Sequence, residues 1–209
     1  MTIKANKSAA MGDRPASTLL PGEVAARLAD ALLEGDLLFA AEDESRAAAI
    51  TGALRAMAPA VEVVFCPASD ALPGDSAPAS PANVGRRVAA FRQLRLKHYE
   101  EDRPLIALVT TGEALAHTYA PPSAFDSTPP RVAVGEAVDL ADLFQQLRDA
   151  GYVDDERVDE PGEVALRGQV LDVYPADAAE PLRIEVADGQ VVAIRSYDPA
   201  SQLTTAERQ

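Results

Sequence analysis

The run from Pro161 to Tyr197 narrows the possible folds of this chain more than any other stretch. A Pro161-Gly162 turn opens it, an Arg167-Gly168 step breaks it once, and Asp188-Gly189 separates two alternating apolar runs. Asp-Gly between alternating runs is a hairpin signal, because both central residues of that turn take positive φ. VAL, QVLDVY, PLRIEVA and VVAIRSY read as strands, with a further strand expected at Arg157–Asp159. Arg183 and Glu185 alternate with Leu182, Ile184 and Val186, which puts both polar side chains on one exposed face. Ahead of the strands, RVAV from Arg131 reads as another strand. A helix follows, capped by Asp139, lined by Leu140, Leu143, Phe144 and Leu147, and ended by Gly151. Residues 131–200 are thus predicted to form a small α+β domain.

The chain before Pro121 has a different rhythm. Pro21 opens a helix with Val24, Leu28, Ala31 and Leu32 on one face, and Gly35 stops it. Leu37–Ala41 reads as a fully apolar strand of the kind buried in a parallel sheet. Asp43 caps a helix with Ala47, Ile50, Leu54 and Met57 buried, and a strand centred on Val61–Phe65 follows. After the loop from Pro67, Ser80 and Pro81 start a helix whose core face is Val84, Val88, Phe91 and Leu94. Arg86, Arg87, Arg92, Arg95 and Lys97 lie on its other side. A third strand, Leu105–Val109, precedes a short helix from Thr111 to His117. Alternating strands and helices of these lengths predict an α/β domain with a parallel sheet over residues 18–120. Residues 1–17 read as a disordered polar leader, the Pro/Ser-rich stretch after Pro121 as a link, and 201–209 as a tail.

The net charge of −14 argues against nonspecific DNA or membrane binding, since phosphate affinity comes from Lys and Arg. No run approaches the ~20 apolar residues of a membrane span, and the start has no apolar signal core, so a cytoplasmic location is expected. Without Trp, the core must rest on Ala, Val, Leu and Ile.

No phosphate loop, dinucleotide fingerprint or nucleophile elbow appears. Glu42, Asp43 and Glu44 read as a capping turn rather than a metal cluster, since no further ligand is spaced for one. Asp70 and Asp75 read as turn residues, His98 and His117 as surface residues, and Cys66 as a buried inert thiol. The basic helix lacks stacking aromatics beyond Phe91 and Tyr99, so it reads as a solvated face paired with local acids. Neither catalytic residues, cofactor nor metal are expected. Strand-borne Arg167 and Arg183, with Glu185, suit a protein interface, although the pattern alone fits ordinary solvent-facing strand residues better.

The stretch ERVDEPGEVALRGQVLDVYPADAAEPLRIEVADGQVVAIRSYDPASQ resembles the UvrB-homology region of the bacterial transcription-repair coupling factor (Mfd), and the related segment of UvrB. The resemblance rests on Val158-Asp159, Gly162-Glu163, Arg167-Gly168, Leu171 to Pro175, Arg183-Ile184-Glu185, Asp188 and Tyr197-Asp198, in that order. Upstream, FAAEDESRAAAI, PASDALPGDSAPASPANVGRR and LVTTGEAL are similar to the first domain of that family, so the resemblance spans roughly residues 18–205. It implies a P-loop-ATPase-like domain that has lost its phosphate loop, followed by a domain like the second domain of UvrB. In the family this small domain docks on UvrA, and two Arg and one Phe carry much of the contact. Those positions correspond to Arg167, Arg183 and Ala187, so the aromatic anchor is replaced by a methyl group. UvrB's aromatic-rich DNA-gripping hairpin has no counterpart here. The expectation is a non-catalytic UvrA-docking module of a larger ATP-dependent DNA translocase. The alternative is an intramolecular module that caps other domains of its parent protein, with UvrA binding lost.

Overall fold

The computed structural model describes residues 19–71, 79–98, 102–126 and 128–208. The expected leader, Asp75, Tyr99 and the His98 side chain lie outside that description. In chain order the elements are α1 (Pro21–Ala31), β1 (Leu37–Ala41), α2 (Glu44–Met57), β2 (Glu62–Phe65), α3 (Pro81–His98), β3 (Ile106–Thr111) and α4 (Gly112–Ala116). They continue with α5 (Leu140–Asp149), β4 (Val153–Asp154), β5 (Glu163–Arg167), β6 (Val170–Val173), β7 (Leu182–Ala187), β8 (Gln190–Tyr197) and β9 (Thr204–Arg208). No helix among the described residues is long and apolar enough to cross a membrane.

The chain divides into two compact units, one of residues 1–65 and 104–115, the other of 66–103 and 116–209. The first unit holds a parallel three-stranded sheet in the order β1-β3-β2. Val24, Ala25 and Leu32 from the first helical segment, with Ala47, Ile50 and Leu54 of α2, pack with Val63, Ala107 and Val109 of the strands. Asp43 caps α2 as its position predicts, its carboxylate accepting the Arg46 N–H at 2.8 Å. Gly35 ends the first helical segment at φ 141, a conformation that costs a side-chain-bearing residue dearly. Two expectations need correcting here. β1 is not buried on both faces, because β3 takes the centre and leaves β1 at an edge with Leu38 48% exposed. Ala31 and Met57 also face solvent, and Thr51 fills the α2 stripe by donating its hydroxyl to the Ala47 carbonyl.

The second unit is built on a six-stranded sheet in the order β4-β5-β6-β7-β8-β9, parallel between β4 and β5 and antiparallel elsewhere. α5 covers its inner face: Leu140, Leu143 and Leu147 pack on Val164, Leu171, Val173, Ile184, Val191 and Ile194. Asp139 caps α5 by accepting the Ala141 and Asp142 N–H groups. Asp188 and Gly189 both sit at positive φ, forming the two-residue hairpin turn that their sequence predicts.

Three expected elements differ. Residues 131–134 form no strand; Val134 enters a turn, and Ala137 bridges to Gln190 instead. The strand near 157 lies earlier, at Val153–Asp154, and Arg157 falls in a bend. The expected tail contributes β9, which pairs with β8.

α3 belongs with this second unit, whereas the expected division at residue 120 placed it in the first domain. It is also rotated from the expected face. Asn83 and Ala90 are buried, while Val84 and Val88 are 44% and 45% exposed. Polar and backbone contacts set that rotation. Asn83 donates to the Ala68 carbonyl at 2.7 Å, Pro81 lies against Gly162, and Gly85 lies against the Ala176 backbone.

Candidate protein-docking surface

Strand alternation divides the side chains of the six-stranded sheet cleanly. With Leu171, Val173 and Ile184 inside, Asp172 and Arg183 must point to the opposite, outer face. One register row on that face runs Ala165, Asp172, Arg183, Arg195 and Glu207 across β5 to β9. The next row places Arg167, Val170 and Glu185 together. Ala187 stands exposed at the end of β7, beyond a bulge between Glu185 and Val186.

The charges on this face are paired in a definite order. Arg183 grips Asp172 in a fork, Nε to Oδ1 at 2.7 Å and Nη2 to Oδ2 at 2.9 Å. Asp172 is only 3% exposed although it lies on the outer face. Arg167 approaches the same carboxylate more loosely, at 3.7 Å, with its side chain 54% exposed. Arg195 is directly opposite Arg183, a like-charge juxtaposition that is unfavourable by itself. It has counterions of its own, bonding Glu185 diagonally across on β7 and reaching Glu207 on β9 at 3.6 Å. Glu185 is therefore a counterion of Arg195 rather than an open acid.

Beneath the fork, the Arg183 guanidinium lies 4.9 Å from the centre of the Tyr197 ring. Tyr197 is 1% exposed and donates its hydroxyl to the Val158 carbonyl at 3.1 Å. Burial, then the neighbouring Asp172 carboxylate, push its phenol well above the ordinary tyrosine value. The Asp172 hydrogen bonds push the Arg183 guanidinium higher still, so it remains a fixed cation. Arg167 borders a shallow groove whose other walls are Asp154, Asp155, Glu156, Ala165 and Leu166.

The structure therefore brings Arg167 and Arg183, sixteen residues apart in the chain, together on one carboxylate. Sequence reasoning gave Asp172 and Tyr197 only as parts of a motif and passed over Arg195. The signal was present in LDVY, where Asp172 shares the outward phase of its strand between apolar neighbours.

The other candidates fall apart spatially. Glu42 contacts Arg46 and Asp43 caps a helix, and no group of three His, Cys, Asp or Glu among the described residues could hold a metal ion. Asp70 accepts the Ser80 N–H at 2.9 Å and also its hydroxyl, which organises the start of α3. His117 is exposed, with its ring 6.4 Å from Tyr119. Cys66 is buried, which raises its thiol and disfavours the nucleophilic form. On the basic helix, Arg95 pairs with Asp126 at 2.6 Å and Arg87 lies over the Tyr119 ring at 5.3 Å. Phe91 packs on Tyr119 and Phe125, so it is not offered for base stacking.

Comparison with known proteins matches residues 131–209 to the UvrB interaction domain. A transcription-repair-coupling factor of Myxococcus xanthus is 32% identical over 189 residues, covering 88% of this chain and 15% of that protein. The Bacillus subtilis factor is 27% identical over 140 residues, 67% of this chain and 11% of that protein. The Haemophilus influenzae factor is 28% identical over 146 residues, 70% of this chain and 12% of that protein. The chain thus spans about one-seventh or less of the length of these relatives. The sheet with its paired arginines and the α5 cover fall inside the matched segment, and residues 131–209 belong to the UvrB interaction domain family, within a chain related to the transcription-repair-coupling factors.

Proposed function

We propose that this chain is a non-catalytic interaction module of a DNA-repair translocase and that it docks UvrA through the outer face of its six-stranded sheet. Arg167 and Arg183 are the anchors in this reading, Glu185 supports the charge arrangement, and Ala187 occupies the margin of the contact. The observation that carries it is the convergence of Arg167 and Arg183 on Asp172 at the centre of that face. Arginine is favoured at interfaces because its planar, rigid donors meet carboxylates and carbonyls without much loss of side-chain entropy.

Calorimetry of the purified chain against UvrA tests the proposal. Binding at micromolar strength or tighter is expected. Arg167→Ala or Arg183→Ala should each weaken it by roughly 2 kcal/mol, about thirtyfold, as for an interface hot spot. Ala187→Phe should strengthen it by restoring an aromatic contact. Binding that survives both arginine changes would refute the assignment of this face, and ATP turnover by the pure chain would refute the non-catalytic reading.

The exposed methyl of Ala187 favours one rival, an intramolecular module that caps other domains of its parent protein. That reading predicts no binding of UvrA by the native chain, and binding by Ala187→Phe.

A further inference from the structure

The two docking arginines are held very differently, and the difference has a cause in one residue. Arg183 makes two short hydrogen bonds to Asp172 and lies on the face of a tyrosine whose own hydroxyl is tied to the backbone. Arg167 meets the same carboxylate only loosely, its Nη1 3.7 Å from the Oδ2 that Arg183 Nη2 already bonds, and its side chain is about twice as exposed. A carboxylate buried to this degree is a poor stability device. Its desolvation offsets much of the ion-pair attraction, and apolar replacements of such pairs are often neutral or stabilising. What a fork of this kind supplies is direction, because a carboxylate that takes Nε and Nη2 together fixes the guanidinium plane. The neighbouring Arg195 adds a reason for such fixing. It stands opposite Arg183 in the register, and the two are held by different carboxylates, Arg183 by Asp172 on β6 and Arg195 by Glu185 on β7.

We infer that Asp172, backed by the Tyr197 ring, is a positioning residue that presets the Arg183 guanidinium for a partner, while Arg167 is left to adapt to it. This rests on the docking reading above. Asp172 need touch no partner itself; Arg183, held in the orientation it uses in the complex, loses little freedom on binding.

The test has two arms on the full chain. In the first, the Arg183 Nε–H signal is followed by NMR in the native chain and in Asp172→Asn, which keeps the side-chain shape and removes the charge. The signal of an ordered guanidinium is expected in the native chain and an averaged one in the variant, with the backbone spectrum of the sheet retained. An equally ordered Arg183 in both overturns the inference, whatever the partner does. In the second arm, UvrA affinity is measured for Asp172→Asn alone and in the Arg183→Ala background. A loss of about tenfold alone, absent once Arg183 is gone, is the coupling expected of a residue acting through another. Equal losses in both backgrounds overturn it. Arg183→Lys is the companion variant: it keeps the charge but cannot take the fork, so it should bind nearly as poorly as Arg183→Ala. Native-like binding by Arg183→Lys overturns the inference without dependence on how Asp172→Asn folds. Failure of the native chain to bind UvrA would sink the docking reading, and the NMR arm would still decide the role of Asp172.

Discussion

Gly52 and Gly85 both lie in the interior of helices, and the same substitution at each should have opposite signs. Gly52 of α2 is exposed, and a Cβ added there would meet nothing within 4 Å. Gly52→Ala should therefore gain most of the helix-propensity difference, about 0.5–1 kcal/mol. Gly85 of α3 presses on the loop after β6. A Cβ there would lie 2.7 Å from the Ala176 carbonyl carbon and 2.9 Å from its oxygen, and closer still to its Cβ. Backbone atoms cannot rotate aside as a side-chain tip can, so α3 or the loop must move. Overpacking of this kind costs about 2–3 kcal/mol, the upper part of its usual range. Subtracting the helical gain leaves Gly85→Ala destabilised by roughly 1–2 kcal/mol, which separates the two variants by about 2–3 kcal/mol. Urea unfolding followed by circular dichroism measures both in one series. The result also decides where α3 belongs. If the helix packed only within the α/β domain over residues 18–120, Gly85→Ala would be as benign as Gly52→Ala. A Gly85→Ala midpoint at or above the native one would refute both the clash and the grouping of α3 with the second unit.

Asp139 satisfies two otherwise orphaned N–H groups at the start of α5. Asp139→Ala should cost about 1 kcal/mol in the same assay, and Asp139→Asn far less, since asparagine caps nearly as well. Asp126 is held by the Arg95 guanidinium, whose hydrogen bonds keep its carboxyl below the ordinary aspartate value. A depressed folded-state value means that this pair stabilises above the unfolded value of about 3.9 and is lost as pH falls through the folded one. NMR titration of the Asp126 carboxyl should show the low midpoint, and Arg95→Ala should return it to the ordinary range; an unchanged midpoint would contradict the pairing.

What could be read from the residues followed from local chemistry. Asp43 and Asp139 announce helix starts because a short carboxylate reaches the second or third N–H beyond it. Asp188-Gly189 announces its hairpin because few residue pairs accept two positive φ values. The elements missed depend on partners distant in the chain. β9 reads Thr-Thr-Ala-Glu-Arg, with no apolar phase to mark it, and exists because β8 offers it a free edge. α3 was misoriented because apolar periodicity points to Val84 and Val88, while an asparagine tied to a distant carbonyl and a close glycine decide its rotation. On the outer face of the six-stranded sheet, the alternation in LRIEVA locates Arg183 and Glu185, but their counterions come from β6 and β8 and only the register reveals them.

The strand order of the first unit has a consequence for synthesis. β3 lies between β1 and β2, yet the ribosome makes it last, after α3 and the rest of residues 66–103, which belong to the other unit. Until Ile106–Thr111 emerges, β1 and β2 have no native neighbour, and their exposed edges are what a holdase chaperone would recognise. The helices α1 and α2 are complete before then, but the sheet they cover can finish its pairing only once its central strand has been made.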